Sequence, residues 1–347
     1  MQIQESTLFT VLTGWPIEPP STLTPLVGGT NNQVWLVETE NGSSYVLRLI
    51  AGMADLGHVR YEAALLAMLH NTALPFHLPL PLPTHAGDIP ILIELDNAEP
   101  AIATLTPFLP GHLPARNATT SAQIGVALAQ LDAALASIPS ASLPANEGSA
   151  HFLYGDLSHC HPLVPDPITA VEHLLEPAQA RPIASILKQT QQDWETLSAQ
   201  GFPQQMLHRD CGPGNVLVDE ERVTAILDFE FAGIDRRVFD LCVAISWWPV
   251  RLMGTGQEWE LIDSLGRAYT AYVPLTEEEL LTLPASLRMR DTTSLIYRIG
   301  RYIAGQESEQ TIQERARHSI WREEWLLGNQ ETLVQHALTW AKDQGRG

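Results

Sequence analysis

The sequence predicts an α+β protein of two lobes: a small antiparallel β lobe with one helix, and a larger, mainly helical lobe. Three observations support this architecture. Residues 23–50 read as three strands separated by turns, five prolines between residues 75 and 90 exclude a helix there, and apolar residues from Thr120 onward recur at helical spacing. A chain of 347 residues is long enough for two lobes. We place their boundary after residue 106, giving lobes 1–106 and 107–347.

The first lobe begins with a strand, a glycine turn and two further strands. Asn41-Gly42 separates the apolar runs 33–38 and 45–50, and both residues tolerate the positive φ of a type I′ turn, so the runs are predicted to pair as a hairpin. A glycine turn can bring backbone N–H groups close to a phosphate without interference from a Cβ atom. Such turns are more often plain turns, but this one precedes the strand that carries Arg48, which favours phosphate binding. Its candidate residues are Gly28, Gly29 and Asn31.

Residues 57–70 are predicted to form the helix of the first lobe. Glu62 lies in register with Leu65 and Leu69, at helical i+3 and i+7 spacing, so its side chain is expected on the apolar face. A carboxylate there needs a partner, because a buried unpaired charge is costly. Arg48 on the preceding strand is the natural candidate.

The first lobe ends with two more strands. Residues 75–90 are expected to be extended, and strands are predicted at 89–94 and 101–106. The segment Pro107–Gly111 is interpreted as the crossover to the second lobe.

The second lobe is predicted as a series of helices. Residues 139–167, rich in Pro, Ser and Gly, are expected to form a surface insertion, and the charges of the last segment indicate solvated helix faces. The predicted helical segments are 121–137, 168–199 with breaks at Pro177 and Pro182, 258–282 and 287–341.

One stretch concentrates the residues of a candidate site. Asp210 is followed five positions later by Asn215, and Asp228 comes thirteen positions after that. Apolar runs at 216–218 and 223–227 flank a charged turn and predict a β-hairpin. Because a hairpin returns to its starting end, Asn215 and Asp228 are expected side by side, with Asp210 on the loop that leads in. Two oxygen ligands beside a third carboxylate suit Mg²⁺ bound to a nucleotide, as phosphoryl transfer requires.

The motif in this stretch resembles the catalytic loop and metal-binding segment of the protein-kinase-like superfamily: His208-Arg209-Asp210, then Asn215, then Asp228-Phe229. A His-Arg-Asp triplet alone could arise by chance, whereas the spacing and the flanking strands together make chance a poor explanation. Residues 236–241 resemble the small-molecule branch, the aminoglycoside phosphotransferase and choline kinase family. The residues of this motif are most similar to those of the type II homoserine kinase group. The matching residues are Asp228-Phe229-Glu230-Phe231-Ala232, Asp235 and Asp240-Leu241.

The resemblance implies a protein-kinase-like two-lobed fold and an ATP- and Mg²⁺-dependent transfer of phosphate to a small-molecule hydroxyl. It gives the catalytic role to Asp210 and metal binding to Asn215 and Asp228. His208 and Arg209 are expected to be structural. Asp240 resembles the family aspartate that braces the catalytic loop by accepting backbone N–H bonds, although from the sequence an ordinary helix N-cap is an equal alternative.

The resemblance also implies how the nucleotide is held. Related kinases hold the α and β phosphates with a basic residue on the third strand, and here that position is Arg48, paired with Glu62. Arginine can bind phosphate with two parallel hydrogen bonds, so the chemistry is retained. The backbone of the hinge between the lobes is expected to bind the purine. Its candidate residues are Thr106, Phe108 and Leu109.

Three residues depart from the patterns of related kinases. Glu230 stands where protein kinases carry Gly, and Gly212 stands where Ser/Thr kinases usually carry Lys, which favours a small-molecule acceptor. Asp132 follows Leu131 where many family members have His, a change that concerns packing or the substrate cleft.

Composition and charge exclude several classes of function. The chain has 20 basic and 40 acidic residues, a formal charge of −20, which argues against nucleic-acid and anionic-membrane partners. Three widely spaced cysteines and an N-terminus unlike a signal peptide favour a cytoplasmic location. The protein is expected to be a monomer or a homodimer. No zinc site is predicted for the loop histidines, which lack ligand spacing; these residues are His151, His159 and His161, with Cys160 beside them.

The acceptor stays open at this stage. The similarity of the motif residues to the homoserine kinase group favours homoserine. The alternative is an aminoglycoside, a choline-like amine or another amino alcohol. A homoserine carboxylate needs a cation, for which Arg237, Arg298 and Arg301 are candidates. A non-catalytic nucleotide-binding module is disfavoured, because a degenerate kinase would lack at least one of Asp210, Asn215 and Asp228.

Overall fold

In a computed structural model of the protein, residues 4–26, 33–51, 56–93, 100–145 and 152–343 are described. The chain forms two compact units. The first consists of residues 1–111, 138–148 and 224–230, and the second of residues 112–137, 149–223 and 231–347. The boundary predicted after residue 106 stays a prediction.

The first unit is built on an antiparallel sheet. Its helices and strands are α1 (Glu5–Leu12), β1 (Pro20–Pro25), β2 (Gln33–Thr39), β3 (Ser44–Ala51), α2 (Leu56–His70), β4 (Ile91–Ile93) and β5 (Ala101–Pro107). The five strands lie in the order β1-β2-β3-β5-β4, and every neighbouring pair is antiparallel. Gly42 has the positive φ of 82° that the predicted turn between β2 and β3 requires.

The first unit contains one helix more than the sequence predicted. The helix α1 is eight residues long and begins without a side-chain cap, so its start signal is weak. It is held by packing instead: Leu8 and Leu12, one helical turn apart, are buried in the core of the sheet. Trp15 follows in the same core, where its indole N–H donates to Leu82 O at 3.0 Å.

The second unit is mainly helical, as predicted. Its helices and strands are α3 (Ala118–Ala136), α4 (Pro167–Leu174), α5 (Pro177–Gln200), β6 (Gln204–Leu207), β7 (Val216–Asp219), β8 (Arg222–Ile226), β9 (Gly233–Arg236), α6 (Val238–Trp247), α7 (Glu258–Thr270), α8 (Glu277–Leu281), α9 (Leu283–Ile303) and α10 (Glu309–Asp343). The strands form two small sheets, β6-β9 and the predicted hairpin β7-β8. The boundary between the two units falls within β8. None of the helices in the described residues is both long and apolar enough to span a bilayer.

The helices α3 and α7 approach each other closely. A Cβ atom on Gly125 in α3 would lie 2.5 Å from Leu265 O in α7, a distance that packed atoms do not reach. Glycine is therefore required at this position. The start of α3 is fixed by Asn117, whose side chain accepts a hydrogen bond from Thr120 N at 2.8 Å.

The predicted surface insertion at residues 139–167 is wrong for much of its length. Within its described part, Phe152, Tyr154, Leu157 and Cys160 are buried in the core of the second unit. Pro, Ser and Gly predicted irregular backbone correctly, but irregular backbone can still carry core side chains when tertiary partners cover it.

The predicted break at Pro182 is also wrong, because α5 begins at Pro177 and continues through Pro182. Proline in the second turn removes one backbone hydrogen bond. The helix compensates through its buried face, which includes Ile183, Ala184 and Leu187.

Several charges of the C-terminal helices are buried, where solvated faces were predicted. Arg288 in α9 lies 2.5 Å from Asp193 in α5 and 2.9 Å from Glu323 in α10. Arg322 in α10 lies 2.9 Å from Asp291 in α9. The charges join helices that are distant in sequence, so local patterning did not reveal them.

Candidate active site

The loop that carries Asp210 is fixed by a buried carboxylate. Asp240, in the first turn of α6, accepts hydrogen bonds from His208 N at 2.7 Å and from Arg209 N at 2.6 Å. This confirms the bracing role implied by the resemblance and excludes the alternative of an ordinary helix N-cap. Because Asp240 is fully buried, both bonds are shielded from water, and the loop backbone directly before Asp210 is held in place.

Arg209 is structural, as expected. Its φ of 67° is unusual for a long side chain, and its buried guanidinium donates to Phe152 O and lies 3.5 Å from Asp235. The same group lies over the rings of Phe152 and Tyr154, 5.1 and 4.8 Å from their centres. Tyr154 also donates its hydroxyl proton to Arg209 O at 2.7 Å. These contacts stabilise the strained residue that precedes Asp210.

Asp210 and Asn215 are in direct contact within the second unit. Asn215 donates through Nδ2 to Asp210 O at 2.9 Å and to Asp210 Oδ2 at 3.0 Å. The Asn215 amide thereby holds the Asp210 carboxylate.

Asp228 lies in the first unit and has a φ of 63°. Aspartate tolerates this left-handed conformation better than most residues, and such strain is often found at functional positions. The Asp228 charge also acts on Arg48 in the same unit. The predicted adjacency of Asn215 and Asp228 stays a prediction.

The structure contains the predicted ion pair between Arg48 in β3 and Glu62 in α2. The Nη1–Oε1 distance is 3.2 Å and the Nη2–Oε2 distance is 2.5 Å, a two-bonded arrangement. Burial acts to lower the pKa of Arg48, but Glu62, and then Asp228 and Glu230, outweigh it and raise the pKa above its ordinary value. Arg48 is therefore a permanent cation held beside acidic residues of the first unit.

Two of the predicted site residues, one in each unit, are of types that bind hard cations. Asn215 offers an amide oxygen and Asp228 a carboxylate, the ligand types that Mg²⁺ prefers. The described part of the chain contains no group of three His, Cys, Asp or Glu that could hold a metal. Few protein ligands are what a magnesium nucleotide needs, because phosphate and water complete the coordination.

Only some of the remaining residues predicted to bind the nucleotide lie within the described part of the chain. Gly28, Gly29 and Asn31 lie outside the described residues, as does His151 of the discounted zinc site. The Phe108 N–H donates to Ser44 O at 3.0 Å, so this hinge amide already has a partner. Roles for Thr106 and Leu109 stay predictions.

Asp132, which stands where many family members have histidine, is an electrostatic neighbour of the bracing residue Asp240. It is completely buried and accepts a hydrogen bond from the Tyr269 hydroxyl at 2.6 Å. Burial, then the charge of Asp240 and a hydrogen bond to it, raise the pKa of Asp132 well above 3.8, and the Tyr269 bond offsets this only in part. The buried Asp132 carboxyl therefore holds its proton more strongly than an exposed aspartate does.

A pH-dependent effect of Asp132→Asn follows from this raised pKa. Because the folded pKa is raised, the stability that Asp132 contributes is fully present below pH 3.8 and is lost as pH rises towards and through the raised value. The variant should thus gain stability relative to the wild type by about 1.4 kcal/mol per pH unit within that window. Urea unfolding of both proteins at several pH values measures the difference.

Asp88→Asn is the matched control for this measurement, since Asp88 is an exposed turn residue. The stability difference of Asp132→Asn from the wild type is compared with that of Asp88→Asn at each pH. A dependence on pH no steeper than that of Asp88→Asn would mean that the pKa of Asp132 is not raised in the folded protein.

Two residues that the sequence analysis did not assign lie at this site. Trp247, at the end of α6, packs against the loop, since a Cβ atom on Gly212 would lie 3.3 Å from its Cδ1. Arg290 in α9 lies over the Trp247 ring, 4.6 Å from its centre. No local pattern in the sequence links these positions.

The three arginines considered for a substrate carboxylate already face carboxylates. Arg237 makes two bonds to Glu279, at 2.5 and 2.6 Å. Arg298 lies 2.7 Å and Arg301 3.4 Å from Glu307. Among the described residues, none of these three arginines has a buried side-chain nitrogen without a hydrogen-bond partner.

Comparison with known proteins yields both sequence relatives and structural neighbours. Residues 22–275 match the family described as the phosphotransferase enzyme family. A homoserine kinase of Xanthobacter autotrophicus is 28% identical over 282 residues, covering 80% of this chain and 79% of that protein, and one of Mesorhizobium japonicum is 25% identical over 287 residues, covering 81% of each. A microcompartment-associated aminopropanol kinase superposes with a TM-score of 0.69 at 18% identity, covering 97% of this chain and 99% of that one. This structural similarity confirms the predicted fold.

Proposed function

The chain belongs to the phosphotransferase enzyme family, and from that premise we propose that it transfers the γ-phosphate of ATP to the hydroxyl of a small amino alcohol, with homoserine as the favoured acceptor. The observation that carries this proposal is the fixed loop on which Asp210 and Asn215 are in contact. A loop braced by Asp240 and by the buried Arg209 is costly to build unless the position of Asp210 matters.

Asp210 is the residue we assign to the acceptor hydroxyl. Its carboxylate accepts a hydrogen bond from the hydroxyl and so aligns the oxygen with the γ-phosphorus. As the new O–P bond forms, the bond from phosphorus to the bridging oxygen of ADP breaks, and the hydroxyl proton passes to Asp210. Asn215 steadies the carboxylate through its 3.0 Å bond to Oδ2.

Arg48, Asn215 and Asp228 are the residues we assign to the magnesium nucleotide. Arg48 would hold phosphate oxygens while Glu62 fixes its orientation. Asn215 Oδ1 and the Asp228 carboxylate are the proposed metal ligands. When bound, Mg²⁺ supplies positive charge that offsets the charge developing on the transferred group.

Homoserine is favoured over other acceptors because the sequence relatives that cover most of the chain are named homoserine kinases. Their identity of 28% or less leaves room for a neighbouring substrate, so an aminoglycoside or a choline-like amine is the alternative. A non-catalytic module is the less favoured candidate, since the braced loop retains its aspartate. Three free cysteines and a reaction that consumes ATP fit the cytoplasm as the proposed location.

An acceptor panel tests the proposed function. ATP consumption would be measured with L-homoserine, 3-aminopropan-1-ol, choline and kanamycin, and the product identified by phosphorus NMR. We expect the kcat/KM for homoserine to exceed those for choline and kanamycin by about 100-fold or more. Preferential turnover of choline or kanamycin would contradict the acceptor class. ATP binding without turnover of any member would instead indicate a binding module.

A further inference from the structure

A small cavity of about 20 Å³ lies among α6, α9 and α10, with space for a group of one or two water-sized atoms. We call it the arginine cavity. The residues that define it are Trp247, Arg290, Asp291, Arg315, His318 and Arg322. Three arginines surround it with a single carboxylate, in a chain whose formal charge is −20. A local excess of positive charge in an acidic protein favours the binding of an anion.

The single carboxylate, Asp291, is shared between two of the arginines. Arg290 Nη1 donates to it at 3.1 Å, and Arg322 Nε lies 2.9 Å from its other oxygen. Arg322 also donates to Ser246 O at 2.7 Å. Arg315 forms no ion pair among the residues that the structure describes. The cavity therefore has more cationic groups than its own carboxylate can neutralise.

The excess charge affects the groups around the cavity. Burial, then the charge of Arg322, lower the pKa of His318, and Arg315 and Arg290 act in the same direction. Burial, then the charges of Arg298 and Arg290, lower the pKa of Arg315 as well, and the charges of Glu307 and Asp291 offset this only in part. An anion placed among these groups would be attracted by all of them.

Two hydrogen-bond donors at the cavity are buried without an acceptor. Nε of Arg290 and Nε1 of Trp247 have no hydrogen-bond partner within the described ranges. Arg290 is only 7% exposed, so water reaches its guanidinium poorly. A buried donor without an acceptor is costly, and an anionic ligand would satisfy it.

The arginine cavity adjoins the proposed catalytic residue. Trp247 lies against Gly212, and the Gly212 N–H donates to Asp210 O at 2.7 Å. Burial acts to lower the pKa of Arg290, while Asp291, Tyr154 and Asp210 raise it. Trp247 thus joins the wall of the cavity to the loop that carries Asp210.

We propose that Arg290 and Arg315 bind the carboxylate of the phosphate acceptor, which makes the substrate a hydroxyl-bearing amino acid rather than a simple amino alcohol. This inference rests on the proposed function. A carboxylate matches the cavity in size and accepts parallel hydrogen bonds from a guanidinium. Trp247 stacks against the Arg290 guanidinium, which restricts the orientation of that group.

The test compares two acceptors that differ only by the carboxylate. L-Homoserine and 3-aminopropan-1-ol share the hydroxyl, the chain between the functional groups and the amine. In the wild type we expect kcat/KM for homoserine to exceed that for 3-aminopropan-1-ol by about 100-fold. Arg290→Gln and Arg315→Gln should each lower this ratio at least about tenfold, mainly through KM for homoserine. Arg290→Lys should restore part of it.

Arg288→Gln is the matched control. Arg288 lies on the same helix and is also 7% exposed, but it faces Asp193 and Glu323 rather than the arginine cavity. The ratio of the two acceptors is measured within each variant, so partial unfolding does not alter it. Arg315 is half-buried and makes no ion pair with the residues that the structure describes, so its variant should fold even if Arg290→Gln does not.

The possible outcomes separate the two proposals. Equal use of both acceptors by the wild type, or an unchanged ratio in both glutamine variants, would overturn the carboxylate site and leave the kinase proposal intact. Turnover of neither acceptor by the wild type would overturn the proposed function, and the carboxylate site with it. A ratio that falls in both variants and not in Arg288→Gln would support the site.

Discussion

Asp210→Asn is expected to lower kcat by about 1,000-fold or more, while the affinity for ATP changes by no more than about threefold. Asparagine has the same shape and can still accept the hydrogen bond that Asn215 donates to Asp210 Oδ2. It cannot take up the acceptor proton. Steady-state kinetics and calorimetric titration with the magnesium nucleotide measure the two quantities separately.

Asp219→Asn provides the control for this variant. Asp219 lies at the exposed end of β7, a few residues further along the chain, and its replacement removes the same charge. We expect kcat to be unaffected within about twofold, since exposed substitutions of this kind have small effects. Unchanged turnover in Asp210→Asn would remove the proposed role, and loss of ATP affinity there would point to a structural one instead.

The loop around Asp210 illustrates what can be predicted from sequence. The spacing of Asp210, Asn215 and Asp228 belongs to a local motif, and the resemblance it carries also predicted the brace by Asp240. The ion pair between Arg48 and Glu62 could be predicted because a carboxylate on an apolar helix face needs a partner. Each of these inferences depends on short-range spacing or on a strong energetic requirement.

The support for the loop could not be predicted in the same way. Phe152 and Tyr154 pack against the Arg209 guanidinium from a segment whose composition indicates a surface loop. Composition reports the irregular backbone of this segment and says nothing about what covers it. The contact joins residues more than fifty positions apart, and only the tertiary fold brings them together.

The arginines show the same limit. From the sequence, Arg237, Arg298 and Arg301 were as plausible as any other arginine for an anionic ligand. Their carboxylate partners are Glu279 in α8 and Glu307 in the connection between α9 and α10, and no local sequence pattern indicates these pairs. The excess charge at the arginine cavity could not be found either, because it depends on how α9 and α10 pack together. Charge balance is a property of the folded neighbourhood.

Asp228→Asn is expected to weaken the binding of magnesium ATP by about 100-fold or more, equivalent to about 2.7 kcal/mol. Asparagine tolerates the positive φ of residue 228, so the backbone should be retained. The variant loses the charge that we assign to the metal. Metal-free ATP should bind it as well as the wild type or better, because a carboxylate that repels phosphate has been removed. Calorimetric titration with and without Mg²⁺ measures both affinities.

Glu230→Gln tests whether Asp228 binds the metal or acts only through its charge on Arg48. Glu230 lies two residues from Asp228 in the same unit, and both carboxylates raise the pKa of Arg48. If Asp228 acted only by steadying Arg48, the two variants would weaken ATP binding to a similar extent, whether or not Mg²⁺ is present. If Asp228 is a metal ligand, Glu230→Gln should change affinity by no more than about threefold, equally in both conditions. Only Asp228→Asn would then weaken ATP binding more in the presence of Mg²⁺ than in its absence. This is the result expected when the replaced side chain binds the metal ion.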